Sequence, residues 1–265
     1  MRILVSNDDG ILAPGIQALA RSLATRHEVH VVAPDRERSA TGHALTLHKP
    51  LRVEKVDLGD LVASAHAVNG TPSDCVKIAV GALLPDMPDL VLSGINRGPN
   101  LGTDVIYSGT VSAALEATIL GIPAAALSLA TFSDIGYEVA AEFALDLADM
   151  LGDHRLPPKV LLNVNVPRRE TGPVPDVRIT RLGDRRYHDS FEPRLDPRGR
   201  TYYWLAGEVV ENEESPETDV VAIREGFISI TPIHHDMTHH ASIAMVRSWR
   251  DRAGLPGELS PTERN

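Results

Sequence analysis

The amino-acid sequence predicts an α/β fold built on a doubly wound, mostly parallel sheet with β excursions and a C-terminal arm. Two observations support this prediction: apolar runs alternate with helical patterns as far as residue 167, and the first run is apolar at every position. A strand that is apolar on both faces is typical of a parallel sheet covered by helices. The sequence therefore predicts helices on each side of one central sheet.

The first predicted βαβ unit spans residues 3–33. Residues 3–5 form a strand, residues 16–23 carry an apolar helical face, and residues 27–33 form the next strand. Two parallel strands need a crossover connection of this kind, which is usually a helix.

Further strands and helices are predicted in alternation as far as residue 166. Thr71 is an N-cap, followed by Pro72 at N1 and Asp74 at N3, so a helix begins there and runs to about Gly81. Residues 41–56 alternate apolar and polar side chains around a proline, which predicts a β excursion or hairpin outside the main sheet. The other predicted elements are strands over 90–93, 122–129 and 159–166 and helices over 111–121 and 137–151.

The sequence changes in character after Pro167. Residues 168–200 are rich in Arg, Pro, Asp and Gly and show weak periodicity. We treat residues 1–265 as a single domain, with a core over about 1–167 and an extension over 168–265 that forms the C-terminal arm. Such an arm either packs on a partner subunit or folds back on its own domain. The extension is predicted to contain strands over 201–205, 219–223 and 227–233, a helix over about 242–251 and a polar tail.

The charge and apolar content of the chain exclude several classes of protein. Lys and Arg number 26 against 36 Asp and Glu, a formal net charge of −10, so no diffuse basic surface exists to bind a nucleic-acid duplex. No run of 18 apolar residues is present and the first apolar run is too short for a signal peptide, which predicts a soluble cytoplasmic protein with no membrane partner. Cys75, the only cysteine, is expected to be a buried thiol in a helix.

Three predicted strand ends carry polar side chains that suit a divalent cation. The first strand is followed by Asn7, Asp8 and Asp9, the second by a loop that contains Ser39, and a later strand by Asn96. Ligands of open α/β sheets bind outside the carboxyl ends of the strands, so the three loops should face one site. Carboxylate, hydroxyl and amide oxygens suit Mg²⁺ or Mn²⁺. The acidic turn alone is equally compatible with a structural role, and the two further loops favour a metal.

A second candidate site lies at the start of the predicted helix over 111–121. Ser108, Gly109 and Thr110 precede this helix, and free backbone N–H groups at a helix N-terminus bind anions. Ser and Thr are also ordinary N-caps, so this pattern alone does not indicate an anion site. Next to a metal site, it suggests a phosphate held between the cation and the helix N-terminus. The chain has no P-loop and no G-x-G-x-x-G after the first strand, which counts against an NTPase or a dinucleotide enzyme, and it has no G-x-S-x-G nucleophile elbow.

Four of the 11 histidines fall within residues 234–240. A zinc or nickel site is one interpretation, but no H-E-x-x-H motif is present. We favour a structural or interface role, with at most one of these side chains near the active site. The four are His234, His235, His239 and His240.

Six stretches of the chain carry a family signal. The most specific is PDLVLSGINRGPNLGTDVIYSGTVSAALEA at 88–117; the others are NDDG at 7–10, APDRERSATG at 33–42, NGTPSDCV at 69–76, LNVNVP at 162–167 and TDVVAIREGFISITP at 218–232. Together they closely resemble the SurE family of survival proteins, over residues 1 to about 240. The resemblance implies a Rossmann-like core and a metal-dependent 5′/3′-nucleotidase that acts on nucleoside monophosphates, with some members also trimming polyphosphate. It also implies homodimers or homotetramers formed by exchange of the C-terminal arm.

The resemblance also implies one divalent metal ion per subunit, Mg²⁺ or Mn²⁺, bound by Asp8, Asp9, Ser39 and Asn96. The same four residues lie at the predicted strand ends described above. One departure from the family is Thr41, which lies in a loop that usually contains Ser-Gly. A hydroxyl is retained there, so we expect no change in function.

The expected mechanism is attack of a metal-activated water on phosphorus. The cation polarises a phosphoryl oxygen and lowers the pKa of the water. Asp8 or Asp9 acts as general base, and the sequence does not distinguish between them. Residues 108–110 hold the non-bridging oxygens, and Asn7 orients an aspartate.

Two other modes of action are compatible with the same residues. One is a non-catalytic nucleotide sensor that uses the same metal and helix end. The other is a phosphatase that works through a phospho-aspartate. The adjacent Asp8 and Asp9 disfavour the second, because neighbouring side chains of an extended chain point to opposite sides.

Overall fold

The computed structural model describes residues 1–133, 135–154, 156–210, 215–253 and 255. Its contacts divide the chain into two compact units, of which the first spans Met1–His234 and the second begins at His235. The strands are β1 (Arg2–Ser6), β2 (Glu28–Pro34), β3 (Val53–Lys55), β4 (Ser64–Val68), β5 (Leu90–Arg97), β6 (Ala124–Ala130), β7 (Val160–Pro167), β8 (Val177–Ile179), β9 (Arg186–Leu195), β10 (Thr201–Val210) and β11 (Ile228–His234). The helices are α1 (Pro14–Leu23), α2 (Pro72–Ile78), α3 (Gly109–Ile119), α4 (Tyr137–Asp153), α5 (Asp219–Arg224) and α6 (His240–Arg252).

A sheet of nine strands forms the centre of the first unit, in the order β3-β4-β2-β1-β5-β6-β7-β11-β8. Neighbouring strands are parallel except for two pairs, β3 with β4 and β7 with β11. Helices α1 and α4 pack on one face, and α2 and α3 pack on the other. This architecture confirms the predicted doubly wound α/β fold.

Both faces of β1 are buried, as its uninterrupted apolar run predicts. Ile3 and Val5 belong to the core beneath α1 and α4, whereas Leu4 belongs to the core beneath α2 and α3. Successive side chains of a strand point to opposite faces, so a strand covered on both sides has no polar face. Each of these fully buried side chains contributes about 1.5–3 kcal/mol of hydrophobic stabilisation.

Strand β1 is the topological switch point of the sheet. β2 pairs with one edge of β1 and β5 with the other. A doubly wound sheet has a crevice at such a point, outside the carboxyl ends of the two strands. The turn after β1 and the loop after β5 therefore line the same crevice.

The prediction for residues 41–56 is wrong. This segment, which the structure describes throughout, forms no hairpin outside the main sheet; only Val53–Lys55 is a strand, and it pairs antiparallel with β4 at the sheet edge. The apparent alternation includes Leu45 and Leu47, whose side chains are exposed. Strand β4 has no counterpart among the predicted elements.

The prediction of a strand over 219–223 is also wrong, because these residues form helix α5. Their β-branched side chains favour a strand, but tertiary contacts override this preference. The buried carboxylate of Asp219 accepts hydrogen bonds from the backbone N–H groups of Gly102 and Gly183. These bonds fix the first residue of the helix against two other segments.

The extension after Pro167 contains more strand than its periodicity indicates. β8 and β11 complete the main sheet, and β11 confirms the strand predicted over 227–233. β9 and β10 form a separate antiparallel ribbon, of which the sequence predicts only residues 201–205.

The second unit contains α6, which confirms the helix predicted over 242–251. The polar tail beyond residue 253 lies outside the described residues, apart from Leu255. Within the described part of the chain, no helix is long and apolar enough to cross a membrane.

Helix α2 begins at the predicted cap. The hydroxyl of Thr71 accepts the N–H of Asp74 at 3.1 Å, and the Asp74 carboxylate accepts the N–H of Thr71 at 2.9 Å. The helix continues into a π-helical turn over Ala79–Leu83. Cys75 is fully buried in α2, as predicted, and burial raises the pKa of its thiol.

Candidate functional site

The carboxyl group of Asp8 is buried in the turn that follows β1. The hydroxyl of Thr110 donates a hydrogen bond to its Oδ1 atom. Burial raises the pKa of Asp8 from 3.8 to about 6, because the charged form loses its hydration. The hydrogen bond from Thr110 opposes this rise, and the nearby charge of Asp9 adds to it. A cation beside this carboxylate would stabilise its charged form.

The N-terminus of α3 lies directly against Asp8. A Cβ atom on Gly109 would lie 2.7 Å from the Cβ atom of Asp8, so this approach requires glycine. Ser108 is the N-cap, and its side chain accepts the N–H of Val111 at 3.1 Å. Residues 108–110 therefore form a helix N-terminus, and the anion that they contact in the structure is the Asp8 carboxylate.

Asp9 contacts a different element from Asp8. Its Oδ2 atom accepts the backbone N–H of Arg97, at the end of β5, at 3.0 Å. The preceding residue is Asn96, whose amide nitrogen donates to the carbonyl of Gly98 at 2.9 Å. The structure thus brings Asp9 beside the segment that carries Asn96, while Asp8 contacts α3.

The loop after β2 packs on the turn that carries the aspartates. The backbone N–H of Arg38 donates to the carbonyl oxygen of Asp8 at 2.7 Å. The next residue, Ser39, is exposed, and its hydroxyl donates to Glu37 at 2.8 Å. Gly10 has φ of +100°, and a Cβ atom there would lie 3.1 Å from the backbone of Arg36, so glycine permits both the turn and the contact.

Asn7 shapes the turn that carries both aspartates. Its amide nitrogen donates to the Gly10 carbonyl at 2.9 Å, and its amide oxygen accepts the Gly10 N–H at 3.2 Å. Asn7 is expected from the sequence to orient an aspartate. These two hydrogen bonds go to backbone atoms, so Asn7 acts on the aspartates through the conformation of the turn.

The donors at this crevice fit a hard divalent cation. Asp8 and Asp9 supply two neighbouring carboxylates, and the segments that carry Ser39 and Asn96 are hydrogen-bonded to the same turn. Neighbouring like charges repel, and this repulsion contributes to the raised pKa of Asp8. Oxygen donors of these types suit Mg²⁺ or Mn²⁺.

The histidine-rich segment forms a different kind of structure. In the described residues, no group of three or more His, Cys, Asp or Glu side chains is arranged to hold a metal ion. Nδ1 of His239 lies 2.6 Å from the hydroxyl of Ser242, and Nε2 of His240 lies 2.8 Å from the carboxylate of Asp236. These local bonds fit the structural role that we favour.

Comparison with known proteins places the chain in a family. A family model described as Survival protein SurE matches residues 3–189. The chain belongs to the SurE family. Among its SurE relatives is the 5′-nucleotidase SurE of Synechococcus elongatus, which is 56% identical over 254 residues that cover 93% of this chain and 98% of the relative. The 5′-nucleotidase SurE of Heliobacterium modesticaldum is 52% identical, with 98% of this chain and 94% of the relative covered.

A solved structure of a SurE protein has the same fold. The crystal structure of the SurE protein from Aquifex aeolicus matches with a TM-score of 0.83 and 39% sequence identity. The match covers 95% of this chain and 100% of the other. The family resemblance of the sequence is therefore confirmed over most of the chain.

A buried amide network in this SurE family member is not among the features predicted from the sequence. The carbonyl oxygen of Asn100 accepts from the side-chain amides of Asn163 at 2.9 Å and Asn165 at 3.0 Å. The side chain of Asn100 donates to Ser128 at 2.7 Å. The network ties the loop after β5 to β6 and β7. Its signal in the sequence is LNVNV, an apolar strand with two asparagines, since buried polar side chains need hydrogen-bond partners.

A second set of contacts in the SurE fold holds the segment before α3. Asp219, which is fully buried, accepts the N–H groups of Gly102 and Gly183 at 2.8 Å each. Arg185 forms an ion pair with Asp104 at 2.6 Å. Asp219 and Gly102 are 117 positions apart, so no local pattern predicts their contact.

Proposed function

We propose that this chain is a divalent-metal-dependent phosphomonoesterase that hydrolyses nucleoside 5′- and 3′-monophosphates to nucleoside and phosphate and also removes terminal phosphate from polyphosphate. The observation that carries the proposal is the contact of Asp8 with the N-terminus of α3, at the carboxyl ends of β1 and β5. This contact joins acidic oxygen donors to an anion-binding helix end, and a metal–phosphate complex needs both. The name of the relatives, 5′-nucleotidase SurE, supports a nucleotide substrate.

Asp8, Asp9, Ser39 and Asn96 would hold one Mg²⁺ or Mn²⁺ ion per subunit. When bound, the ion supplies a Lewis acid for the phosphoryl group and a water of lowered pKa. Asn96 offers its amide oxygen, because its amide nitrogen already donates to the Gly98 carbonyl. Ser39 offers a hydroxyl oxygen from the loop that packs on the Asp8 turn.

The N-terminus of α3 stabilises the phosphoryl group. Ser108, Gly109 and Thr110 present backbone N–H groups and the positive end of the helix dipole to its non-bridging oxygens. Negative charge shifts onto these oxygens in the transition state, and donors fixed by a helix meet it without reorganisation. Asp8 or Asp9 accepts the proton of the attacking water.

We also propose that the chain forms homodimers or homotetramers through its C-terminal arm. One face of the β9–β10 ribbon is apolar, and in its register Leu205 lies opposite Phe191. Phe191, Leu195, Tyr203 and Leu205 share this face, and each is more than 60% exposed. Helix α6 in the second unit has no buried residue. Contiguous exposed apolar side chains of this extent indicate an interface.

Release of inorganic phosphate from 5′-AMP and 5′-GMP tests the proposed activity. We expect turnover with Mn²⁺ or Mg²⁺, none in excess chelator, and a loss of roughly 100-fold in kcat/KM for Asp9→Ala. Asp57→Ala, a change at an exposed carboxylate between β3 and β4, is the matched control and should retain full activity. Assays with 3′-AMP and polyphosphate test those two activities separately.

Three outcomes would contradict this proposal. Full activity in chelator or in Asp9→Ala would exclude the metal-dependent mechanism. Binding of AMP without phosphate release would identify a nucleotide sensor. A labelled acyl-phosphate trapped on Asp8 or Asp9 would identify a phospho-aspartate mechanism.

A further inference from the structure

Glu116 is a buried carboxylate outside the proposed metal and phosphate site. It lies on α3, and each of its oxygens has a partner: Oε2 accepts from Nε2 of His43 at 2.8 Å, and Oε1 accepts from Nζ of Lys77 at 2.8 Å. A buried carboxylate without such partners would be strongly destabilising. The hydrogen bond from His43 is the largest influence on the pKa of Glu116 and lowers it. The ionised carboxylate therefore binds two segments at once, α2 and the loop after β2.

The loop that carries His43 also carries Ser39. Residues 38–46 form no helix or strand, and we name them the strap. The strap begins at Arg38, whose backbone N–H donates to Asp8. Four further hydrogen bonds anchor it. The Arg38 guanidinium donates to the Asn69 carbonyl (3.2 Å) and Gly42 N–H to the Tyr107 carbonyl (3.1 Å). The Thr71 hydroxyl donates to the Ala44 carbonyl (2.7 Å) and Thr46 N–H to Asp74 (3.0 Å). The bond between His43 and Glu116 is the one that fastens a strap side chain to the body of α3.

We propose that Glu116, acting through His43, is a positioning residue that holds Ser39 at the metal site; this inference rests on the proposed function. Ser39 is exposed and its hydroxyl donates to Glu37 only two residues away, so its place relative to Asp8 depends on how the strap is held. Helix α3 contacts Asp8 at its N-terminus and binds His43 through Glu116 about two turns later. One rigid helix thereby fixes both the aspartate and the strap.

Lys77 shares the carboxylate of Glu116 but does not belong to the strap. It lies on α2, its side chain is half exposed, and it contacts the other carboxylate oxygen. Removal of Lys77 changes the charge balance at Glu116 and leaves the strap bond in place. Removal of His43 takes away the bond between the strap and α3, while the other hydrogen bonds of the strap remain, and it leaves Glu116 with Lys77 as a counter-charge. Comparison of the His43 and Lys77 variants therefore separates the positioning of the strap from the effect of the charge balance at Glu116.

The Mn²⁺ dissociation constant of the full chain, measured without substrate by electron paramagnetic resonance of the free ion, tests the proposal. We expect about tenfold weaker binding in His43→Ala, and binding within roughly twofold of the parent in Lys77→Met. His43→Gln should recover part of the loss, because its amide N–H reaches the same oxygen. Amide hydrogen exchange of the metal-free chain should be faster over the strap in His43→Ala than in Lys77→Met. Thermal melting checks that every variant folds.

Equal Mn²⁺ affinity in the parent and His43→Ala would overturn the positioning role. An equal loss of affinity in Lys77→Met would also overturn it, because the effect would then come from the charge of Glu116. Failure of the unmutated chain to bind Mn²⁺ would be a different result: it would overturn the metal site of the proposed function, and this inference with it.

Discussion

Burial of the single residue Asp8 couples the stability of the chain to pH. The pKa of its carboxyl group is about 6 in the folded chain, against an ordinary value of 3.8. Folding therefore favours the protonated form, and the stability that this form contributes is complete below about pH 4 and is lost as the pH rises through about 6. Near neutral pH, ionised Asp8 makes the metal-free chain less stable by about 3 kcal/mol.

Asp8→Asn should consequently stabilise the metal-free chain at about pH 7.5 by up to about 3 kcal/mol, with little effect at about pH 4. The amide keeps the shape of the side chain and an oxygen for the Thr110 hydroxyl. Urea unfolding at the two pH values measures the difference in the free energy of unfolding. The control is Asp57→Asn, at an exposed carboxylate, which should change this free energy by less than about 0.5 kcal/mol. Equal effects of Asp8→Asn at both pH values would show that burial of the charge is not the cause.

The residues of the site differ in how far the sequence alone locates them. Asp8 and Asp9 lie just after β1, and Asn96 lies near the carboxyl end of β5. The carboxyl-end rule for parallel sheets places such residues at one crevice without any knowledge of packing. The contact between Thr110 and Asp8 spans 102 positions, and that between His43 and Glu116 spans 73. Such pairs depend on how α3 packs against the sheet, and no local pattern encodes that packing.

Local sequence patterns correctly predict the strands that are buried along nearly their whole length on both faces. β1 and β5 to β7 are buried at nearly every position because helices cover both of their faces, and their sequences are mostly apolar. β4 lies near the sheet edge and alternates between buried and half-buried residues, with the polar Ser64 and His66 on one face. α5 has the composition of a strand, and its helical state depends on the buried contacts of Asp219. Where tertiary contacts decide the conformation, local preference gives the wrong element.

Asp219 should therefore be important for stability although it lies outside the proposed chemistry. Asp219→Ala leaves the N–H groups of Gly102 and Gly183 buried without this acceptor, and each such loss costs about 1–3 kcal/mol. We expect a decrease of about 2–5 kcal/mol in the free energy of unfolding. Urea unfolding of the parent chain and of Asp219→Ala measures this difference in the free energy of unfolding.

A matched control for this change lies in the turn between β9 and β10. Asp196 also accepts two backbone N–H groups, those of Arg198 and Arg200, both at 2.8 Å. These groups are exposed, so water replaces the carboxylate in Asp196→Ala, and the loss should stay below about 1 kcal/mol. Equal losses at the two sites would show that burial of the N–H groups is not what makes Asp219 important.

For the molecule as a whole, the apolar face of the β9–β10 ribbon predicts how copies of the chain assemble. Tyr203→Asp with Leu205→Asp places two charges on this face, and burying them in an interface without partners would be strongly unfavourable. We expect sedimentation velocity to show a dimer or tetramer for the parent and a smaller species for the double variant. Ser190→Asp adds charge to the opposite face and should leave the assembly unchanged. An unchanged mass in the double variant would exclude this face as the interface.

The net charge of −10 also belongs to the whole molecule, yet its effect on a phosphate ligand is decided locally. Charges on the surface act through a field that salt screens within about 10 Å at 0.1 M ionic strength. Asp8 is different, because it is buried and contacts the N-terminus of α3, the helix end that holds the phosphoryl group in the proposed mechanism. Without a cation, the carboxylate and the phosphate therefore compete for the same end of the helix.

We therefore expect the metal-free chain to bind a non-hydrolysable phosphonate analogue of AMP weakly, and Mg²⁺ to strengthen binding by about tenfold or more. A rise in salt should not restore metal-free binding, because screening weakens the surface field and leaves the buried charge. Asp8→Asn should strengthen metal-free binding and reduce the response to Mg²⁺, since the competing carboxylate and a proposed metal ligand are removed together. Isothermal titration calorimetry measures all of these affinities. Metal-free binding that recovers in high salt would assign the repulsion to the surface charge, and an unchanged affinity in Asp8→Asn would exclude competition at α3.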